Sequence, residues 1–469
     1  MGATMPGGER VQRREKVAAV PKGGDRLKWY GPGLLWMVSS VGSGSVLFTP
    51  RVGSRYGYAL LWAAFLVAFL TWVIIREIGR YTVVSGRTIL DGYYSIPGPR
   101  GWAVWLIFLP GLASGVVVVA GIAALVGSAL AIVVPGEQAF FSIGIILISA
   151  VLVISGRYTY LEKVTTVMAV ILILSTFATA VAVFPGWRVY SRGLVPVLPQ
   201  DFDAYFVLPW IGFLLAGAAG MMWYSYWVAA RGYGGAVFEE ERPGEEELPS
   251  GSSAGAGGSS ALRSWLAIMG NAAAIGVIGA TLVNLSFLTL GAELFGPLDI
   301  IPQGIRVAED IVRLLSGVWG PAGEWILIIG IFVALWGSIL ANQDGWGRMY
   351  ADATLMLARR GSPEEGGPPR SPAGSRLLIK NGYIIVVLTA LPIAVFLMLR
   401  DPVGILSIGG IISAAHLPVV ITLTLYLNSR RLPAEFGPGP LWTAATVAAI
   451  LFYAFFSGFY FYRLLFRTQ

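Results

Sequence analysis

GPGLLWMVSSVGSGSVLFTPRVGSRYGY, residues Gly31 to Tyr58, begins as a membrane-spanning helix and is interrupted at its middle by Gly42-Ser43-Gly44-Ser45. No carboxylate lies at the interruption. Lipid cannot satisfy the backbone groups that a break sets free, so a break at mid-membrane persists only where it is buried in protein or lines a watery cavity. Discontinuous helices of this kind are where secondary transporters bind substrate. The stretch therefore predicts a helical membrane protein with a binding site in its first span.

Composition agrees. Hydrophobic residues make up 56% of the 469-residue chain and charged residues 13%. Apolar runs of roughly 20 residues recur, each long enough to cross a hydrocarbon core of about 30 Å. They fall near 32–52, 57–75, 102–134, 139–155, 161–184, 206–230, 262–291, 324–357, 378–399, 403–427 and 441–465. The expectation is an all-α integral membrane protein of about eleven spans. Cysteine is absent, which removes disulfides and thiolate sites together. The first thirty residues carry Arg10, Arg13, Arg14, Lys16, Lys22, Arg26 and Lys28 without an apolar core or a small-residue cleavage site. They predict a basic cytoplasmic segment (1–30) and not a signal peptide.

Most Lys and Arg residues fall on the side of the N-terminus, so the positive-inside rule predicts a cytoplasmic N-terminus and, with eleven spans, an outer C-terminus. A prokaryotic plasma membrane is the expected setting. The net charge of +7 then belongs to loops that meet anionic lipid heads, and no nucleic-acid partner is needed to explain it. Two loops read as flexible tethers: 238–260, an acidic run passing into GSSAGAGGSS, and 361–375, rich in Pro and Gly. Residues 302–316 have the spacing of a short amphipathic helix lying on the surface.

The chain echoes itself. The first helix breaks at Gly42 and leads into Arg51-Val52-Gly53, and the sixth carries Gly217 and Gly220 at its middle and leads into Arg231-Gly232. Two five-helix repeats, 31–184 and 206–427, follow, with 441–465 as an additional eleventh helix. An odd number of helices per repeat forces opposite orientations on the copies, the inverted-repeat plan of leucine-transporter-type carriers.

At these residues the chain resembles the NRAMP family of proton-coupled divalent-metal transporters. The frame Gly31-Pro32-Gly33 to SRYGYALLW, EIGRYTVVSGRTILDG after the second helix, Leu161-Glu162-Lys163-Val164, Asn342-Gln343 and His416-Leu417-Pro418 occur in family order. The resemblance implies a leucine-transporter-type fold with a site at the breaks of helices one and six. It also exposes departures. The family's Asp-Pro-Gly-Asn metal motif falls on Gly42-Ser43-Gly44-Ser45, so its two ligands become Gly42 and Ser45. Its Met-Pro-His falls on Met221-Met222-Trp223, and His416 stands where the family has a Gln. The chain is similar to a branch of NRAMP-related proteins that lacks the metal motif, and that likeness implies bicarbonate.

Charge explains why the departures matter. Divalent cations surrender a large hydration energy, which sites return through carboxylates, imidazoles or dense oxygen cages. Here the breaks offer the hydroxyls of Ser39, Ser40, Ser43 and Ser45, the aromatic donors Trp223, Tyr224 and Tyr226, and half-helix N-termini that suit a small anion. The expected substrate site is Gly42, Ser43, Gly44 and Ser45 with Gly220, Met221, Trp223 and Tyr224, with His416 as a further pocket residue. The expected activity is alternating-access transport of a small inorganic anion. A divalent-metal transporter (manganese, iron or magnesium) with a rebuilt site and a non-transporting sensor are the alternatives.

A carboxylate within a span costs about 2.5–3.5 kcal/mol at the bilayer centre, which singles out Asp344. With Ser338, Asn342 and Gln343 it could hold a coupling sodium ion, or it could pair with Arg348 four residues on. Glu77 beside Arg76 and Arg80 reads as a cytoplasmic ion-pair cluster. Trp29, Tyr30, Trp102 and Trp442 read as an interfacial belt. No glycine-rich phosphate loop ends in Lys-Ser or Lys-Thr and no serine stands at a strand-to-helix elbow, so an enzyme is not expected.

Overall fold

Apolar runs punctuated by Gly and Pro fold here into helices alone among the described residues. The computed structural model describes residues 17–156, 159–234, 256–304, 307–311, 319–358 and 373–466. The first span consists of α1 (Gly31–Ser40), a π-helical turn (Gly44–Phe48) and α2 (Thr49–Tyr56). It is followed by α3 (Leu61–Ser85), the short α4 (Ile89–Tyr94), α5 (Trp102–Val133), α6 (Gln138–Ser155), α7 (Thr159–Ala182) and the short α8 (Trp187–Arg192). A second broken span comprises α9 (Ala204–Phe213) and α10 (Gly217–Ala230). Then come α11 (Ala256–Leu290), α12 (Pro321–Ala358), α13 (Ala373–Ile385), α14 (Leu391–Leu399), α15 (Pro402–Arg430) and α16 (Pro440–Phe466).

Nine stretches of the described residues are long and apolar enough to cross a membrane, α9 with α10 counting as one and α13 with α14 as another. The broken first span and α7 occupy the two remaining positions read from the sequence. Two boundaries differ from expectation. The second helix runs on to Ser85, and so takes Glu77 and Arg80 into the helix instead of a loop. The sixth span breaks at Leu214–Ala216, just before Gly217 and not at the middle of a continuous glycine-bearing helix.

The broken spans lie inside. Most of α5 and of α9–α10 is buried, whereas α16 and α13–α14 turn most of their surface outward. Glycines let the inner helices approach backbone to backbone, as small residues do in membrane bundles. A Cβ on Gly33 of α1 would strike the Ala272 carbonyl of α11, and one on Gly212 of α9 would strike the Gly410 carbonyl of α15.

At the N-terminal face, Glu77 is 1% exposed and receives Arg76 at 2.9 Å and Arg80 at 2.8 Å. Asn428 of α15 donates to the same carboxylate at 3.0 Å. The expected cluster is therefore an ion-paired group inside the helix bundle, held by two helices. On α4, Thr88 and Asp91 form a reciprocal capping box, and burial pushes the Asp91 carboxyl up.

Trp29 of the expected interfacial belt packs edge-on against Tyr233 and Trp265. Of the expected surface helix 302–316, residues 307–311 are helical with Val307 and Ile311 buried. The tethers lie outside the described residues except at 256–260 and 373–375, which begin α11 and α13.

Candidate functional site at the two helix breaks

The first break arises where serines compete with the helix. Ser39 and Ser40 turn their hydroxyls back onto the carbonyls of Trp36 and Met37, at 2.9 and 2.7 Å, a local bonding that weakens the helical ladder. The chain then passes through Val41–Ser43 and restarts at Gly44. Thr49 anchors the restart. Its hydroxyl lies 2.9 Å from the Gly44 carbonyl and 2.9 Å from Asn284 of α11, and it accepts the Trp210 indole N–H of α9 at 3.0 Å.

The second break is splinted from outside. Gly217 takes φ +64, a left-handed conformation open to glycine at no steric cost. Ser413 of α15 accepts the Ala218 N–H at 2.9 Å and donates to the Gly212 carbonyl at 3.0 Å. One hydroxyl thus satisfies a backbone group on each side of the gap.

Between the breaks lies a cavity of about 70 Å³. This is room for a small polyatomic ion or a few waters, since one water needs about 10–15 Å³ on this measure. The first span contributes Ser39, Ser40, Gly42, Ser43 and Gly44, and the second contributes Phe213, residues 216–220 and Trp223. Ser114 of α5, Ser413 of α15 and Ser338, Asn342 and Trp346 of α12 complete the polar wall, and no carboxylate or imidazole is in the lining. The indole N–H groups of Trp223 and Trp346 are buried with no hydrogen-bond partner. Their rings meet edge to face, 5.7 Å apart at 78°.

The cavity brings together Gly42, Ser43, Gly44, Gly220 and Trp223 with Ser338 and Asn342. The other expected residues lie elsewhere. Ser45 is fully buried, with its hydroxyl 3.4 Å from the Ser40 carbonyl. Met221 is buried in the core, and Tyr224 donates to the Met269 carbonyl at 3.1 Å. Gln343 donates to the Leu388 carbonyl at 3.0 Å. His416 is buried outside the lining, its Nε2 without a partner. Asp344 pairs with Arg348 at 2.9 Å and with Lys380 of α13.

Ser114, Trp346 and Ser413 were not expected. A signal for Trp346 was available: Ser338, Asn342 and Trp346 follow one another at intervals of four, which places them on one face of α12, whereas Gln343 and Asp344 point elsewhere.

The sequence pattern of the Nramp family, described as natural resistance-associated macrophage protein-like, matches residues 33–462. The chain belongs to the Nramp family. Like the family, this Nramp protein is a multi-pass membrane transporter and not an enzyme. It is 22% identical over 344 residues to an uncharacterised protein of Pasteurella multocida, covering 70% of each chain. It is 29% identical over 100 residues to a divalent metal cation transporter of Chromohalobacter salexigens, a match to 21% of this chain and 23% of that one. A mutant of the Eremococcus coleocola manganese transporter superposes with a TM-score of 0.64 at 14% identity, covering 98% of this chain and 92% of that chain. The same transporter in complex with an aromatic bis-isothiourea compound gives 0.62 at 15% identity, covering 95% and 89%. At such identities the likeness establishes the fold, the leucine-transporter-type arrangement with broken first and sixth helices.

Proposed function

We propose that this Nramp protein carries a small oxyanion, with bicarbonate the best fit, by alternating access at the two breaks. The observation that carries the reading is a lining without a carboxylate or imidazole, flanked by the buried, unpartnered indole donors of Trp223 and Trp346. A buried donor left unbonded costs about 1–3 kcal/mol, which an acceptor oxygen on a substrate would recover. Both half-helices that restart at the breaks, at Ser43–Gly44 and at Gly217–Gly220, begin in the lining, and helix N-termini favour anions. The first span comes close to α12 at its break, where a Cβ on Gly42 would lie 3.6 Å from the Ser338 hydroxyl, and Asn342 lines the same cavity. Those two side chains are the candidates for a coupling sodium ion, while Asp344 is engaged by Arg348 and Lys380.

The metal reading draws on relatives that carry divalent cations or manganese by name. Against it, Met221, the soft ligand it would require, lies outside the cavity. Uptake of labelled bicarbonate and of manganese into liposomes holding the purified protein, with and without a sodium gradient, tests the proposal. Saturable bicarbonate flux without manganese flux is the expected result. Manganese flux alone would replace the anion reading with the metal one, and saturable binding of bicarbonate with no flux of either ion would mark a sensor.

A further inference from the structure

Arg51 of α2 is 8% exposed, yet no hydrogen bond or ion pair reaches its side chain among the described residues, and its Nε is buried without a partner. Its Cζ lies over two ring faces, Phe48 at 5.8 Å and Phe206 at 4.8 Å. Arg55, one turn on, lies over the same Phe206 ring at 4.8 Å. One phenyl ring is thus shared by two guanidinium groups, at the end of the bundle where α9 and α15 begin. The nearby acids are committed: Asp203 caps α9 and pairs with Arg55 at 3.4 Å, and Asp401 caps α15 through the Val403 and Gly404 N–H groups.

A buried charge with no ion pair in contact is costly, and the ring faces and the more distant Asp401 carboxylate offset only part of that cost. A guanidinium fork also matches the two oxygens of a carboxylate-like group. We infer that Arg51 and Arg55 form a second anion site, which receives a small oxyanion before it enters the cavity. The two sites stand one ring pair apart, because Phe48 beneath Arg51 packs on Phe213 at 6.3 Å, and Phe213 lines the cavity. The burial of Arg51 leaves little surface for a lipid headgroup, which points to a small soluble ion. The order of use, first Arg51 and then the cavity, rests on the proposed anion transport; the binding site itself does not.

Titration of the detergent-solubilised full chain with sodium nitrate and with sodium bicarbonate, in micelles free of phospholipid, separates the two sites. Two anions per chain are expected, one lost in Arg51→Gln and the other in Trp346→Phe, with Arg51→Lys keeping the charge but binding the first anion more weakly than Arg51. Binding lost only in Trp346→Phe would overturn the Arg51 site and leave the cavity reading standing. Binding lost only in Arg51→Gln would do the reverse. In proteoliposomes, Arg51→Gln should raise the bicarbonate KM about tenfold with kcat changed less than twofold, as expected for one charge-assisted contact. An unchanged KM would overturn the entry role. Should Arg51→Gln fail to fold, a cryo-electron microscopy map of the parent chain in saturating nitrate decides: density beside Arg51 supports the site, and a map without it removes the site.

Discussion

The backbone of Gly44 rests directly on the carbonyl oxygen of Phe213, so that a Cβ at Gly44 would overlap that oxygen. The two broken spans touch here at the edge of the cavity. Gly44→Ala must therefore push the spans apart, and overpacking of this kind costs about 1–3 kcal/mol. A lowered melting temperature together with lost flux is expected, and a variant with parental stability and flux would show that the contact is dispensable.

Gly42 is different, because a Cβ there meets only the Ser338 hydroxyl at 3.6 Å. Gly42→Asp should fold, and its carboxylate would repel an anion by on the order of 4 kcal/mol at 4 Å in a partly polar site. Bicarbonate flux should fall at least a hundredfold by that estimate. Near-parental flux in a well-folded Gly42→Asp protein would argue against an anion at the break.

Trp346→Phe keeps the ring contact with Trp223 and removes one donor. A hydrogen bond to a charged partner is worth about 1.5–3 kcal/mol, so bicarbonate affinity should drop by roughly one to two orders of magnitude. Isothermal titration provides the check, and unaltered affinity would exclude the indole as a ligand. Ser45→Ala serves as the contrast: its hydroxyl lies outside the lining, so affinity should stay within about twofold.

Asp344→Asn leaves Lys380 and Arg348 facing a neutral group. Breaking a largely buried ion pair from one side costs about 3–5 kcal/mol, so thermal stability should fall markedly. Replacing Lys380 by Met in the same chain should restore part of the loss. If Asp344→Asn instead abolishes sodium stimulation at parental stability, the carboxylate belongs to a coupling site.

Much of the site could be read in advance because it is local. Gly42 to Ser45 announce a break through four consecutive small or polar residues in an apolar run, and the missing carboxylate is visible in the chain itself. Trp223 was legible as a donor for the same reason. Ser45 was not separable from Ser43, since two residues along a broken helix differ in direction only once the turn that follows is known. That turn is π-helical and is held by Thr49 against Asn284 and Trp210, residues more than 150 positions away.

The sequence by itself determined the membrane class, the approximate spans and the chemistry of the first break, because hydropathy and glycine content act over a turn or two of chain. Tertiary structure decided the rest. It set the second break at Leu214–Ala216, where Ser413 of α15 supplies the bonds that the helix gives up. It turned Ser338, Asn342 and Trp346 toward the cavity and Asp344 toward Lys380 of α13. Helical periodicity fixes which residues share a face, but only packing against other helices decides what that face meets.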